Sequence, residues 1–120
     1  MHWYSGRYTV LLMEVTAIDL DALGRIGHAL ADDTRRRLLV ELLGGPAYPS
    51  ELVGRLGTTK ANVSNHLTCL RGCGLVVAEP EGRRVRYELA DPRFADALRQ
   101  LTDLALPPAQ GCEHDRRGTR

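Results

Sequence analysis

The chain has 120 residues, of which 43% are hydrophobic, 5% aromatic and 26% charged, with a formal net charge of +1. That is enough for one domain with a core and too little for two, while the scarcity of aromatics disfavours the stacking surfaces that single-stranded nucleic acids need. No apolar run reaches the roughly 18 residues of a membrane span, the opening MHWYSGRYTVLLMEV has no small-residue cleavage site, and three cysteines make no disulfide framework, so a reduced, cytoplasmic setting is expected.

Residues 1–12 share no periodicity with the rest of the chain; residues 1–17 read as an N-terminal arm, in which Met13 competes with Met1 as the native start. Ile18 to Ala31 is the first expected helix, with Leu23, Ile26, Gly27 and Leu30 on one apolar face at i, i+3, i+4, i+7. Asp32 or Asp33 caps a second helix to about Leu43, with Leu38, Leu39, Leu42 and Leu43 inward and Gly44, Gly45 and Pro46 as the stop. Arg35, Arg36 and Arg37 fall in its first turns, the wrong end for the helix dipole. They read as a solvated face before they read as phosphate or ion-pair contacts. A short third helix starts at Pro49, turns Leu52, Val53 and Leu56 inward and ends at Gly57.

The stretch TTKANVSNHLTCLRGCGLVV, from Thr58 to Val77, organises the chain. Thr58 or Thr59 caps a helix whose buried stripe is Val63, Leu67 and Leu70, and Gly72 and Gly74 end it. On a helical wheel Lys60, Ala61, Ser64, Asn65 and Thr68 fall on one flank, and Asn62, His66, Cys69 and Cys73 on the opposite flank. Two short helices joined by a tight turn containing Gly57 form the helix-turn-helix signature. Leu75 to Glu79 is then a strand, Glu81 and Gly82 a turn, and Arg83 to Leu89 a second strand, with Arg84, Arg86 and Glu88 on its solvent side and Val85, Tyr87 and Leu89 on the other. A basic hairpin directly after a helix-turn-helix is a wing. Asp91 and Pro92 open a last helix to about Leu106, with Phe94, Leu98, Leu101 and Ala105 on one face and Pro107 and Pro108 as the stop.

The expected fold is therefore mainly α with a β-hairpin wing, a winged helix-turn-helix of order α-α-α-α-β-β-α. It occupies residues 18–106, followed by a polar tail, residues 107–120. The first and last helices carry more apolar surface than one such chain can cover, so they are expected to form a homodimer interface.

Two chemistries share the fourth helix. A recognition helix reads bases from its N-terminal half in the major groove, and here that places Thr59, Lys60, Ser64 and Asn65 as DNA contacts. Asn65 suits adenine, Ser64 either base type, and Lys60 guanine or a phosphate. Arg84 and Arg86 of the wing suit phosphates or a minor groove. Cys69 and Cys73, at i and i+4, have Cβ atoms about 5–6 Å apart. A disulfide prefers about 3.5–4.5 Å, whereas a metal ion can sit between the sulfurs. Two thiolates need a further ligand: Cys112 is the remaining cysteine, and His114 could replace or join it. The alternatives are two small buried hydrophobes, or a redox switch pairing Cys112 with either helix cysteine. His66 reads as a hydrogen-bonding or DNA-contacting residue, and His2 and His28 as incidental. No nucleophile with a base, paired acids or phosphate loop is evident, which disfavours an enzyme. All-sulfur ligation selects soft ions.

The runs ALADDTRRRLLVELL, SELVGRLGTTKANVSNHLTCLRGCGLV and EGRRVRYELAD resemble the ArsR/SmtB family of metal-responsive repressors over about residues 18 to 106. The paired cysteines are similar to those of its CmtR subgroup, which senses cadmium and lead. The resemblance implies a dimeric repressor of operator DNA, released when cadmium or lead binds Cys69, Cys73 and a tail cysteine; zinc is a further candidate ion. The tail cysteine is Cys112 across a small gap, while ungapped register falls on His114. Cysteines in the preceding helix, or histidines on the last helix, as in other subgroups, are absent from this sequence.

Overall fold

The computed structural model describes residues 18–111. The expected arm with its alternative start, and Cys112 and His114 in the tail, lie outside the described residues. The elements are α1 (Leu20–Leu30), α2 (Asp33–Leu42), α3 (Pro49–Leu56), α4 (Lys60–Gly72), β1 (Val76–Glu81), β2 (Arg84–Leu89) and α5 (Pro92–Thr102). This is the expected order, a winged helix-turn-helix. No helix among the described residues is long and apolar enough to cross a membrane.

Local chemistry starts each helix. The carboxylates of Asp19, Asp32 and Asp91 accept the first free amides of α1, α2 and α5, and the Thr59 hydroxyl does so for α4. Each satisfies a donor that has no partner inside the helix. Gly57 ends α3 in the left-handed region at φ 65°, which a residue with a Cβ reaches only at a cost. The chain therefore turns from α3 into α4 within three residues, Gly57 to Thr59.

The core lies where α2, α3 and α4 meet the base of the hairpin. Leu38, Leu39 and Leu42 come from α2, Leu52 and Leu56 from α3, Val63, Leu67 and Leu70 from α4, and Val76 and Leu98 close it from β1 and α5. The hairpin pairs antiparallel from Val76 with Leu89 to Glu81 with Arg84. Ala47 and Tyr87 exchange backbone hydrogen bonds of 2.9 and 2.8 Å, which pins the loop before α3 to the wing.

Four expectations need correction. The first helix begins at Leu20 rather than Ile18, because Asp19 is its cap. It buries Ala29 and half-buries Ile26 and Leu30, whereas Leu23 and Gly27, expected on the same face, are exposed. The hairpin turns at Gly82 and Arg83, and β1 runs through Pro80 to Glu81, two residues past the expected end. A proline without an N–H is tolerated there because the sheet has only two strands and β1 is an edge. The last helix stops at Thr102 rather than near Leu106, so Ala105 lies beyond it. Leu106 precedes Pro107 and is disfavoured in the helical region, Asp103 is the wrong charge for a helix C-terminus, and residues 103–106 are exposed, so packing does not hold them.

The arginines of α2 meet the expectation only in part: Arg36 and Arg37 are exposed and Arg36 pairs with Asp33 at 3.5 Å, but all three also bond backbone carbonyls. Arg35 donates to the carbonyls of Ala29 and His28 at 3.3 and 2.8 Å, and Arg36 to that of Leu30 at 2.8 Å. Arg37 donates to the Leu56 carbonyl at 3.1 Å. They sit at the unfavourable end of their own helix, but they neutralise the C-terminal ends of α1 and α3, where a cation is stabilising.

Candidate functional site

The two flanks of α4 differ in exposure as the wheel requires. Lys60, Ala61, Ser64, Asn65 and Thr68 are all exposed, while Asn62, His66, Cys69 and Cys73 are all half-buried. The exposed flank starts at the tight turn after α3. Thr59 stands at its head, although its hydroxyl is engaged by the Asn62 amide at 3.0 Å. Lys60, Ser64 and Asn65 form no hydrogen bond or ion pair among the described side chains, so their polar groups are available to an incoming duplex.

The second flank runs beside the stripe that enters the core, not opposite it. It faces the junction of α1 and α2. Asn62 donates to the Thr58 hydroxyl at 2.9 Å, and His66 Nδ1 lies 3.7 Å from the Asp32 carboxylate. Burial pulls the Asp32 carboxyl upward, but the Arg35 amide, His66 and the Arg35 guanidinium outweigh it and hold the carboxyl below its usual range. His66 is thus engaged within the chain rather than presented to DNA. Cys69 and Cys73 come next as free thiols, and Cys73 packs against the edge of the core. Burial, with the neighbouring Cys69 thiol, pushes the Cys73 thiol above its ordinary range, against the opposing pull of Arg25 and Arg35.

Arg25 of α1 closes this end of α4. Its guanidinium donates to the Cys73 carbonyl at 2.8 Å and pairs with Asp21 at 3.1 Å. Gly74, at φ 79°, lets it approach: a Cβ there would meet Arg25 Nη1 at 3.3 Å. Arg25 is not evident from the sequence, because its partner is a backbone carbonyl and carbonyls leave no trace in a residue pattern.

The two thiols are soft donors held on one side of one helix, neither sealed in the interior, and that donor set suits a thiophilic ion. Among the described residues no group of three His, Cys, Asp or Glu side chains is gathered closely enough to hold a metal. A complete shell needs a donor from outside them.

On the wing, Arg84 lies over the Tyr48 ring, 3.4 Å from its centroid. Arg86 is held by Glu81 at 3.4 Å and Glu88 at 3.5 Å. Its Nε is buried without a properly aligned hydrogen bond, so the pairing with Glu81 is one of charge more than of bonding. Arg83, at the exposed turn of the hairpin, has no ion pair among the described residues, and no motif in the sequence marks it.

Residues 32–77, from the cap of α2 to β1, match the family described as "Bacterial regulatory protein, arsR family". Over 97 residues the chain is 58% identical to the HTH-type transcriptional regulator CmtR of Mycobacterium bovis, covering 79% of this chain and 82% of that protein. The chain belongs to the ArsR family. Two solved structures of similar architecture fit over it. One is the NMR structure of "the cadmium metal-sensor CMTR" from Mycobacterium tuberculosis, with 59% identity, 75% of this chain and 95% of that one covered, and a TM-score of 0.62. The other is the homodimeric winged helix-turn-helix domain of Mb0332 from Mycobacterium bovis, with 30% identity, 69% and 77% covered, and a TM-score of 0.66. The family match spans both helices of the helix-turn-helix, and the second of them, α4, carries the thiol pair.

Proposed function

We propose that this ArsR-family chain is a homodimeric, metal-responsive transcriptional repressor that binds operator DNA and releases it on capturing a soft ion, cadmium or lead. One observation carries the reading: α4 exposes Lys60, Ser64 and Asn65 on one flank and holds Cys69 and Cys73 side by side on another. The cadmium sensor in the family and the homodimeric Mb0332 domain support the inducer and the assembly.

Thr59, Lys60, Ser64 and Asn65 enter the major groove, and the wing, with Arg84 and Arg86, lies along the backbone. Cys69 and Cys73 supply two thiolates. Cys112, or His114 in its place, supplies the next donor from the tail of the same or the other subunit, so residues 107–120 act as a strap over the domain of residues 18–106. Both helix thiols must shed a proton to bind, so uptake of the ion releases protons. Anchoring the C-terminal end of α4 to the tail shifts α4 from its DNA-bound pose. A coupling of about 1–3 kcal/mol, common in allosteric proteins, weakens operator binding by about 5–150-fold.

Cadmium titration followed by ultraviolet absorption tests the site. The sulfur-to-metal band is expected to weaken in each of Cys69→Ser, Cys73→Ser and Cys112→Ser, and an intact band in Cys69→Ser refutes the assignment. In gel shifts with the region upstream of the chain's own gene, cadmium is expected to release the wild-type protein. Equal binding with and without the ion removes the sensing role.

A further inference from the structure

We propose that Tyr48 is a positioning residue for DNA binding: its ring holds the Arg84 guanidinium flat beside the wing tip, with the guanidinium edge turned to a backbone phosphate. The inference rests on the DNA-binding role proposed above and assigns the two wing arginines different jobs within it.

Tyr48 is fixed from three sides. Its neighbour Ala47 is paired through the backbone with Tyr87 of β2. Its own amide donates to Glu51 Oε1 at 3.0 Å at the start of α3, and its hydroxyl donates to Glu81 at the end of β1. A ring held this way is a rigid platform joining the first helix of the helix-turn-helix to the wing.

Arg84 lies on that platform at 3.4 Å. A stacked guanidinium uses its face, while all of its N–H donors lie in its plane and point outward. Stacking therefore fixes Arg84 without consuming a donor, and Arg84 has no carboxylate partner among the described residues. An arginine already held in place loses less freedom when it meets its ligand. Arg86 is the opposite case. Glu81 and Glu88 face its guanidinium at 3.4 and 3.5 Å, so its charge is already neutralised inside the wing. Glu81 serves both, fixing Tyr48 through the hydroxyl and Arg86 through charge.

The test is a double-mutant cycle read by fluorescence anisotropy on a labelled duplex from upstream of the gene, over a series of salt concentrations. Arg84→Ala is expected to weaken binding and flatten the dependence of log K on log salt by about 0.9 for each subunit's lost phosphate contact. Arg86→Gln is expected to flatten that slope by less than Arg84→Ala, because Glu81 and Glu88 already offset much of its charge. Tyr48→Leu is expected to weaken binding about two- to five-fold for each subunit, the size of an exposed cation–π contact, and Tyr48→Phe to leave it within about two-fold of wild type. In the Arg84→Ala background Tyr48→Leu is expected to add nothing. Arg84→Lys leaves Tyr48 untouched and serves if Tyr48→Leu does not fold. It keeps the charge and the slope but loses the flat stack, so affinity falls by a similar factor. Additive effects of Tyr48→Leu and Arg84→Ala, or undiminished affinity in Arg84→Lys, overturn the inference while leaving the repressor reading intact. Absence of salt-dependent binding by the wild-type chain overturns both.

Discussion

Arg35 shows how a residue's neighbours in space can reverse the reading its neighbours in sequence suggest. In the first turn of α2 it opposes the dipole of its own helix, but its two bonds to His28 and Ala29 place the same charge at the end of α1. Hydrogen bonds from charged donors contribute about 1.5–3 kcal/mol each when well buried; Arg35 is half-buried, so Arg35→Met is expected to cost about 1–3 kcal/mol in total. That is several degrees in the midpoint of thermal unfolding, with no change in the salt dependence of DNA binding. A phosphate-contacting arginine would give the reverse pattern. Cys73 makes a prediction about pH. Burial and the adjacent thiol favour its protonated form, so in the proposed site a metal displaces a proton there at neutral pH. Apparent cadmium affinity should rise with pH, by up to about tenfold per unit for each proton displaced, until the thiol ionises by itself, and fall on acidification. Isothermal titration in buffers of different ionisation enthalpy counts the protons directly.

At the scale of the element, α4 separates a buried stripe from the exposed flank proposed to read DNA. Leu67→Ala empties a site that is 1% exposed and should destabilise the fold by about 2–5 kcal/mol in denaturant unfolding. Asn65→Ala, on the exposed flank, should leave unfolding unchanged and cost about 1–3 kcal/mol of discrimination at one base pair in competition binding. Most of this helix is legible in the sequence, because its determinants are local: a threonine cap, a stripe at helical spacing, and glycines at both turns. The caps Asp32 and Asp91 are legible for the same reason. What escapes depends on groups far along the chain. The Arg25 bond to Cys73 spans 48 residues and ends on a carbonyl. The stacking of Arg84 on Tyr48 depends on how the wing folds back. Leu23 and Leu101 sit on apolar stripes, but periodicity reports only that a face is apolar, not whether its own chain covers it. The hydroxyl of Thr59 reads as a base contact from its type alone, and its role as a cap competes for the same oxygen.

For the whole molecule, those uncovered faces lead to the assembly. Leu20 and Leu23 on α1 are 74% and 58% exposed, and Leu101 on α5 and Leu104 just beyond it are 50% and 55% exposed. Burying four leucines against a second copy is the expected use of surfaces on the first and last helices. Replacing Leu23 and Leu101 together with glutamate should shift the protein to monomer in sedimentation velocity and abolish operator binding at protein concentrations where the wild type saturates, while the monomer keeps its helical circular dichroism. The placement of the thiols at one end of α4 has a mechanical consequence. The helix has 13 residues, a stiff rod of about 20 Å, and the side chains proposed to read bases lie toward its other end, Asn65 being about 12 Å from Cys73 along the axis. A rotation of about 10° about the thiol end carries Lys60 about 3 Å and Asn65 about 2 Å, enough to break a hydrogen bond to a base. On the proposed mechanism the operator registers a displacement and not the chemistry behind it. In the proposed site, selectivity among ions rests with the donors Cys69, Cys73 and Cys112 or His114, and exchanging them should retune which metal is sensed without altering which promoter answers.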